Sequence, residues 1–279
     1  MTQLNQILIT IDSCRWDTFE RAKTPFLKSG QYEKCSTHAT FTMAAHQAFF
    51  AGKLPHSYSG RKYFDTAALS KRRKQNQKQI WRLANPESTR PSHTLLEGRN
   101  IKAGFRKLGY TTIGTGAMNW FDDRKPATEH LLADFDHYKF FPNPECGDGR
   151  NLELQVEWAL ERVAETEGPY FLFINVGETH HRYQAKGHGL EADWGDASGC
   201  AEAQQASLEY VDEVLSGKLF PRLDNFLAVA CGDHGDCWGE DGLWGHGFYH
   251  PAVMEVPMAV LKESVTKKLS RFVFGTKGL

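Results

Sequence analysis

Apolar residues along this chain gather in short unbroken runs rather than in strict alternation. The clearest runs are Ile7 to Ile11, Tyr110 to Gly114, Tyr170 to Val176 and Phe226 to Cys231, and Met258 to Leu261 is a weaker fifth. A continuous run of this length suits a strand with both faces covered, whereas a half-exposed strand alternates. Between the runs the period becomes helical. Ile101, Phe105 and Leu108 form one stripe. Leu152, Val156, Ala159, Leu160 and Val163 form another, as do Leu208, Val211, Val214 and Leu215. Met43 to Ala51 is a further helical stretch. Strands alternating with helices predict a three-layer α/β/α sandwich around a largely parallel sheet.

Arg61 to Arg82 breaks this pattern. It is strongly polar, contains Lys71-Arg72-Arg73-Lys74 and ends in the less polar Ile80 and Trp81. It reads either as a solvated helix or loop, or as a basic cover that attracts an anionic substrate. With 279 residues and 41% hydrophobic content, one large domain over residues 1–279 with a basic insertion near 61–82 fits better than two small domains.

Composition narrows the function by exclusion. A formal charge of −1 argues against a generic nucleic-acid or membrane-surface binder. No apolar segment approaches the ~20 residues of a membrane span. Asp12 ends the first apolar run too early for a secretory signal. The six cysteines are scattered without a CxxC. The expectation is a cytoplasmic protein with reduced thiols.

The strong strands end in chemistry. The first ends at Asp12, the third runs into Gly177-Glu178-Thr179-His180-His181, and the fourth ends at Gly232-Asp233-His234-Gly235. In open α/β sheets ligands bind beyond the carboxyl ends of the strands, so these groups would converge on one site. Carboxylate oxygens with neutral imidazole nitrogens suit zinc or manganese. The run Gly232 to Gly247 holds five further glycines, which would let the backbone close around an ion. Thr42 stands directly before Met43 to Ala51, placed as a helix N-cap. A hydroxyl there feels the positive end of the helix dipole, and next to a metal ion it becomes a candidate nucleophile.

These segments together resemble the alkaline phosphatase and sulfatase-like superfamily. Ile7 to Asp17 is similar to the opening strand of sulfatase-like enzymes, which ends in a metal-binding Asp followed by Arg-x-Asp. Thr42 to Pro55 resembles the sulfatase nucleophile motif, with Gly52 and Pro55 fixing the register so that Thr42 falls on the nucleophile. His180 and Tyr183 match a His-x-Pro-Tyr loop, although Arg182 replaces its proline. Asp233-His234-Gly235 with His246 resembles the Asp-His-Gly block and its later histidine. Thr42, Ala44 and His46 replace the C-x-P-x-R residues from which sulfatases make formylglycine. A threonine nucleophile instead resembles the branch acting on phosphorus, including nucleotide pyrophosphatases, lipoteichoic acid synthase and phosphoethanolamine transferases. The chain is short for this family, and the C-terminal substrate-binding region of sulfatases is expected to be missing.

The resemblance implies a hydrolase or transferase that acts on a phosphate mono- or diester through a phosphothreonine at Thr42. One ion would be held by Asp12, Thr42, Asp233 and His234. His246 and His180, with Glu178, would hold a second ion or contact substrate oxygens. Arg15, His46, His181 and Arg182 are candidates for binding the anion, with Arg15 equally able to pair with Asp17 as scaffold. The alternatives are a sulfate-ester or phosphonate hydrolase, a tailoring enzyme of a small-molecule or peptide pathway, and a non-catalytic metal-binding protein on the same scaffold. The implied partner is a small anionic ester.

Overall fold

In the computed structural model, residues 3–52, 99–125, 128–142, 149–183 and 192–263 are described. The basic segment 61–82, Pro55 and Cys146 lie outside them. In chain order the main elements are β1 (Asn5–Ile11), α1 (Trp16–Arg21), β2 (Gln31–Ser36), α2 (Thr42–Ala51), α3 (Ile101–Lys107), β3 (Thr111–Gly116) and β4 (His137–Phe140). They continue with α4 (Asn151–Ala164), β5 (Tyr170–Val176), α5 (Ala197–Val214), β6 (Phe226–Gly232), β7 (Cys237–Trp238), β8 (Trp244–Gly245) and β9 (Glu255–Lys262). Among these described residues no helix is long and apolar enough to cross a membrane.

Seven strands form one sheet in the order β2-β9-β6-β1-β5-β3-β4. β1 pairs in parallel with β5 and β6, and β3 pairs in parallel with β5 and β4. β9 runs antiparallel to both β6 and β2. The sheet is thus largely parallel, as its unbroken apolar runs predict. All seven residues of β5 are buried. Their alternation sends Tyr170, Leu172, Ile174 and Val176 into a core under α1, α4 and α5, and Phe171 and Phe173 into a second core under α2 and α3. Two covered faces make three layers, and each fully buried apolar side chain contributes roughly 1.5–3 kcal/mol.

The strands that the apolar pattern misses are the sheet edges. β2 (QYEKCS) is almost entirely exposed, and β4 (HYKF) alternates between exposed and half-buried positions. Charged, polar edges discourage pairing with other chains, so they carry no apolar run. The stripe on α3 is also corrected. Ile101 and Leu108 are exposed, Phe105 is half-buried, and Lys102 is the residue buried inward.

Lys102 has an unusual setting for a charge. Its Nζ donates to the carbonyl of Leu131 at 2.5 Å and lies 4.4 Å from the centre of the Phe50 ring and 4.7 Å from that of Phe135. Burial pushes its pKa down from 10.5 to about 7, against the opposing pull of Asp134. Between those values the unfolded chain holds a proton that the folded chain has released. Stability is therefore expected to rise with pH from about 7 towards 10.5, by up to about 1.4 kcal/mol per pH unit. Lys102→Met should remove that slope, which urea unfolding at pH 7, 8 and 9 will measure.

Candidate active site

β6, β1 and β5 are adjacent in the centre of the sheet, and Ile11 sits level with both Val176 and Gly232. Their carboxyl ends therefore deliver Asp12, the Glu178–His181 loop and the Asp233–His234 pair to one place. Asp12, Asp233 and His234 are fully buried, and each offers a ligand atom within 4.8 Å of the others. This convergence is the outcome that the strand ends predict.

Local geometry fixes the carboxylates. Ser13 adopts the left-handed region at φ 55°, where a non-glycine residue is strained. In that turn its N–H donates to Asp233 Oδ1 at 3.1 Å and its hydroxyl to Asp12 Oδ1 at 3.3 Å. The N–H of His234 also donates to Asp233 Oδ1, at 2.8 Å. Gly235 follows because a Cβ there would collide with the carbonyl of Ala252. That glycine serves a close backbone crossing.

Thr42 completes this cluster from the other side. It is the first residue of α2, with Phe41 in the capping position at an extended φ of −164°. The N-cap expectation is corrected accordingly: the Thr42 hydroxyl caps nothing. Instead Oγ1 donates to Asp12 Oδ2 at 3.1 Å and lies 3.2 Å from His234 Nε2. The helix ends at Gly52, whose φ of 63° forms a left-handed cap with its N–H bound to Ala48.

His246 follows directly after β8. Its Nδ1 lies 2.6 Å from Asp236 Oδ1, and His234, Asp236 and His246 form a second group of potential ligands. Asp236 joins this group although it lies further past the end of β6 than Asp233 and His234, so the strand end alone does not mark it. The signal for it is present in Asp233-His234-Gly235-Asp236, where a second carboxylate stands three residues after the first. Burial pushes the Asp236 carboxyl up, but the hydrogen bond and charge of His246, with His234 and His180, hold it down at about 2.

The donor set fits a divalent cation. Burial first, and the neighbouring Asp12 second, push Asp233 well above the usual carboxylate range. Among the described residues the buried atoms Asp233 Oδ2 and Asp236 Oδ2 have no hydrogen-bond partner. The buried Asp233 carboxyl beside Asp12 needs added positive charge to ionise, and each ligand group holds an orphaned carboxylate oxygen that a cation would satisfy. Burial, then the charge of His246, lower His234 to about 4, so its imidazole is neutral and fit to ligate. His234 Nδ1 bonds the carbonyl of Gly235 at 3.1 Å, which leaves Nε2 as the ring's ligand atom. With one lone pair to give, His234 serves one ion. Asp12, Thr42, Asp233 and His234 would hold a first cation, and His246 with Asp236 would hold a second.

Other expected residues are placed differently. Glu178 is buried, but its Oε1 accepts from the N–H of Leu152 at 2.6 Å, at the start of α4, and burial raises its pKa to about 7. It belongs to neither ligand group among the described residues. His46 does not face a substrate anion. Buried and lowered to about 4 by desolvation, it bonds the carbonyl of Thr42 through Nδ1 and the hydroxyl of Thr10 through Nε2, both at 2.7 Å. It holds Thr42 from behind. Arg15 forms two bonds to Asp17 at 2.8 Å and one to Glu240 at 2.7 Å, over the Trp238 ring. Of the two readings for Arg15, scaffold is the one its contacts fit. His180 sits 6.0 Å from His246, ring centre to ring centre, beside the second group. His181 stacks on Trp194, and Arg182 is exposed.

No protein-family model matches this chain, and no curated protein matches it in sequence. Solved structures do. The C-terminal periplasmic domain of phosphoethanolamine transferase EptC from Campylobacter jejuni aligns with a TM-score of 0.62 and 15% identity, over 100% of this chain and 85% of that one. A protein in the alkaline phosphatase superfamily from Vibrio parahaemolyticus aligns with a TM-score of 0.58 and 12% identity, over 95% of this chain and 61% of that one. The C-terminal periplasmic domain of EptC from Escherichia coli, in complex with zinc, gives 0.58 and 10%, over 97% of this chain and 76% of that one. The fold is therefore that of the alkaline phosphatase superfamily. The structures it matches include phosphoethanolamine transferases, one of them crystallised with zinc.

Proposed function

We propose that this chain is a metal-dependent hydrolase or transferase of phosphate mono- or diesters, with Thr42 as nucleophile. The observation that carries the reading is the position of Thr42 Oγ1, 3.1 Å from Asp12 Oδ2 and 3.2 Å from His234 Nε2, at the buried start of α2. A hydroxyl held there, rather than used to cap its helix, is poised to act. Asp12 takes its hydrogen bond, and the first-turn N–H groups of α2 add positive potential. His46 fixes the Thr42 backbone, and its neutral ring keeps the Thr10 contact behind it.

In the reaction the Thr42 Oγ–P bond forms as the ester P–O bond breaks. The alcohol leaves with a proton, and water or a second alcohol then cleaves the phosphothreonine and restores the hydroxyl. A bound cation would supply charge stabilisation at the attacking and leaving oxygens. A threonine cannot be converted to formylglycine, and a sulfothreonine lacks the easy elimination route of an aldehyde hydrate.

Phosphate esters should therefore turn over faster than matching sulfate esters, with dependence on added zinc or manganese and loss of activity in chelator. Intact mass should show residue 42 as plain threonine. Assays of phosphate mono- and diesters, sulfates and phosphonates under one condition decide the matter. Sulfates preferred tenfold or more would overturn the phosphorus assignment. Metal binding without any turnover would favour the non-catalytic alternative.

A further inference from the structure

Beyond the ligand groups lies an open cleft of about 650 Å³ that the chemistry at Thr42 does not use. His246 and His180 form the wall next to the second ligand group, and His181, Trp194 and Trp244 form the rest, with glycine between them. Trp194 is 44% exposed, unusual for so large an apolar side chain. It is nonetheless held firmly. The His181 imidazole stacks on it at 3.8 Å between ring centres and 7° between planes, and Trp244 meets its edge at 6.0 Å and 77°. Arg182 and Tyr183, directly after His181, both sit in the left-handed region, at φ 79° and 44°. Two successive strained residues beside a candidate active site suit a turn kept for function. Trp244 in turn packs against the buried group containing Tyr183 and Trp238.

We propose that this cleft receives the organic group of the ester, and that the group is planar and apolar, an aryl or similar ring system that stacks against Trp194. The inference rests on the metal and Thr42 reading of the site. Because His246 belongs both to the second ligand group and to the cleft wall, a phosphoryl group at the ligands would place its ester substituent beside the indoles. Among the described residues the lining offers imidazoles but no hydroxyl, amide or carboxylate side chain, so a sugar would find few partners for its several hydroxyls. A cationic head group would meet aromatic faces but, among the described residues, no carboxylate in the lining itself. A flat apolar ring gains burial and stacking without either cost.

Binding of non-hydrolysable probes to the zinc-loaded protein tests this by calorimetry, with 1-naphthylphosphonate, methylphosphonate and 2-(trimethylammonio)ethylphosphonate compared. The naphthyl probe is expected to bind at least tenfold more tightly than the methyl probe. Trp194→Ala should shrink that ratio to below about threefold, and Trp194→Phe should keep most of it. Equal affinities in the wild type, or a ratio unchanged in Trp194→Ala, would overturn the subsite while leaving the metal reading intact. Preference for the trimethylammonio probe over the naphthyl probe would overturn it too, in favour of a cation-binding box. If none of the phosphonates binds, the metal reading fails and the subsite falls with it.

Discussion

Thr42→Ala is expected to leave a folded protein that still binds its cation but turns over phosphate esters more slowly by on the order of 10⁴-fold or more, as when other enzymes lose a nucleophile. The fold should survive because Thr42 is the first helical residue and not the cap, so no capping bond is lost with its side chain. Among the described residues its hydroxyl bonds Asp12 and meets His234 Nε2, while Asp233 keeps both of its backbone donors. Three carboxylate and imidazole ligands therefore remain. Thr42→Ser retains the hydroxyl and loses a methyl group, and it should keep far more activity than the alanine variant. Steady-state turnover, metal content by mass spectrometry and thermal melting of the three proteins separate the cases. Near-wild-type turnover in Thr42→Ala would move the nucleophile to another group.

How much of this could be read beforehand depends on where each residue lies in the sheet. β1, β5 and β6 are covered on both faces, so physics demands unbroken apolar runs and the runs are visible. β2 and β4 are edges, and the charges that suit an edge hide the strand. β9 was legible only from Met258. There its pairing with β6 begins, whereas Pro257 faces Lys34 of β2 alone. α3 deceived for another reason. A lysine with a long apolar stem was buried under two phenylalanine rings, and the leucine at the helix end was left outside.

The site divides along a similar line. Asp12, Asp233 and His234 were legible because a strand end determines where the next side chain must be. Glu178 and His46 sit just as close in sequence, but their side chains turn to the start of α4 and to the Thr42 backbone. A rotamer is settled by packing from distant segments, and neighbouring residues do not encode it. Asp236 stands further past the end of β6 than Asp233 and His234, where no strand fixes a side chain's direction, and its place is set by the bond to His246 from a later segment.

Asp233→Asn is expected to abolish bound cation and phosphate-ester turnover together, yet to leave the chelated protein at least as stable as chelated wild type. Asp233 Oδ1 accepts from the N–H groups of Ser13 and His234, and an amide oxygen can accept both. Among the described residues no group donates to Oδ2, and it stands near the Asp12 carboxyl. Without a cation, burial and this like charge oppose ionisation, so the pair is under electrostatic stress. An amide NH₂ in place of Oδ2 removes the second charge and supplies a donor towards Asp12. It also removes a ligand that a cation needs. A cation bound only by the folded state stabilises wild type by about 2.7 kcal/mol at a hundredfold excess over Kd. Chelator should therefore lower the melting temperature of wild type but not that of Asp233→Asn, with the two curves meeting or crossing in favour of the variant. Metal analysis and melting curves with and without chelator provide the test. A variant that retains stoichiometric zinc and a wild-type response to chelator would remove Asp233 from the ligand set.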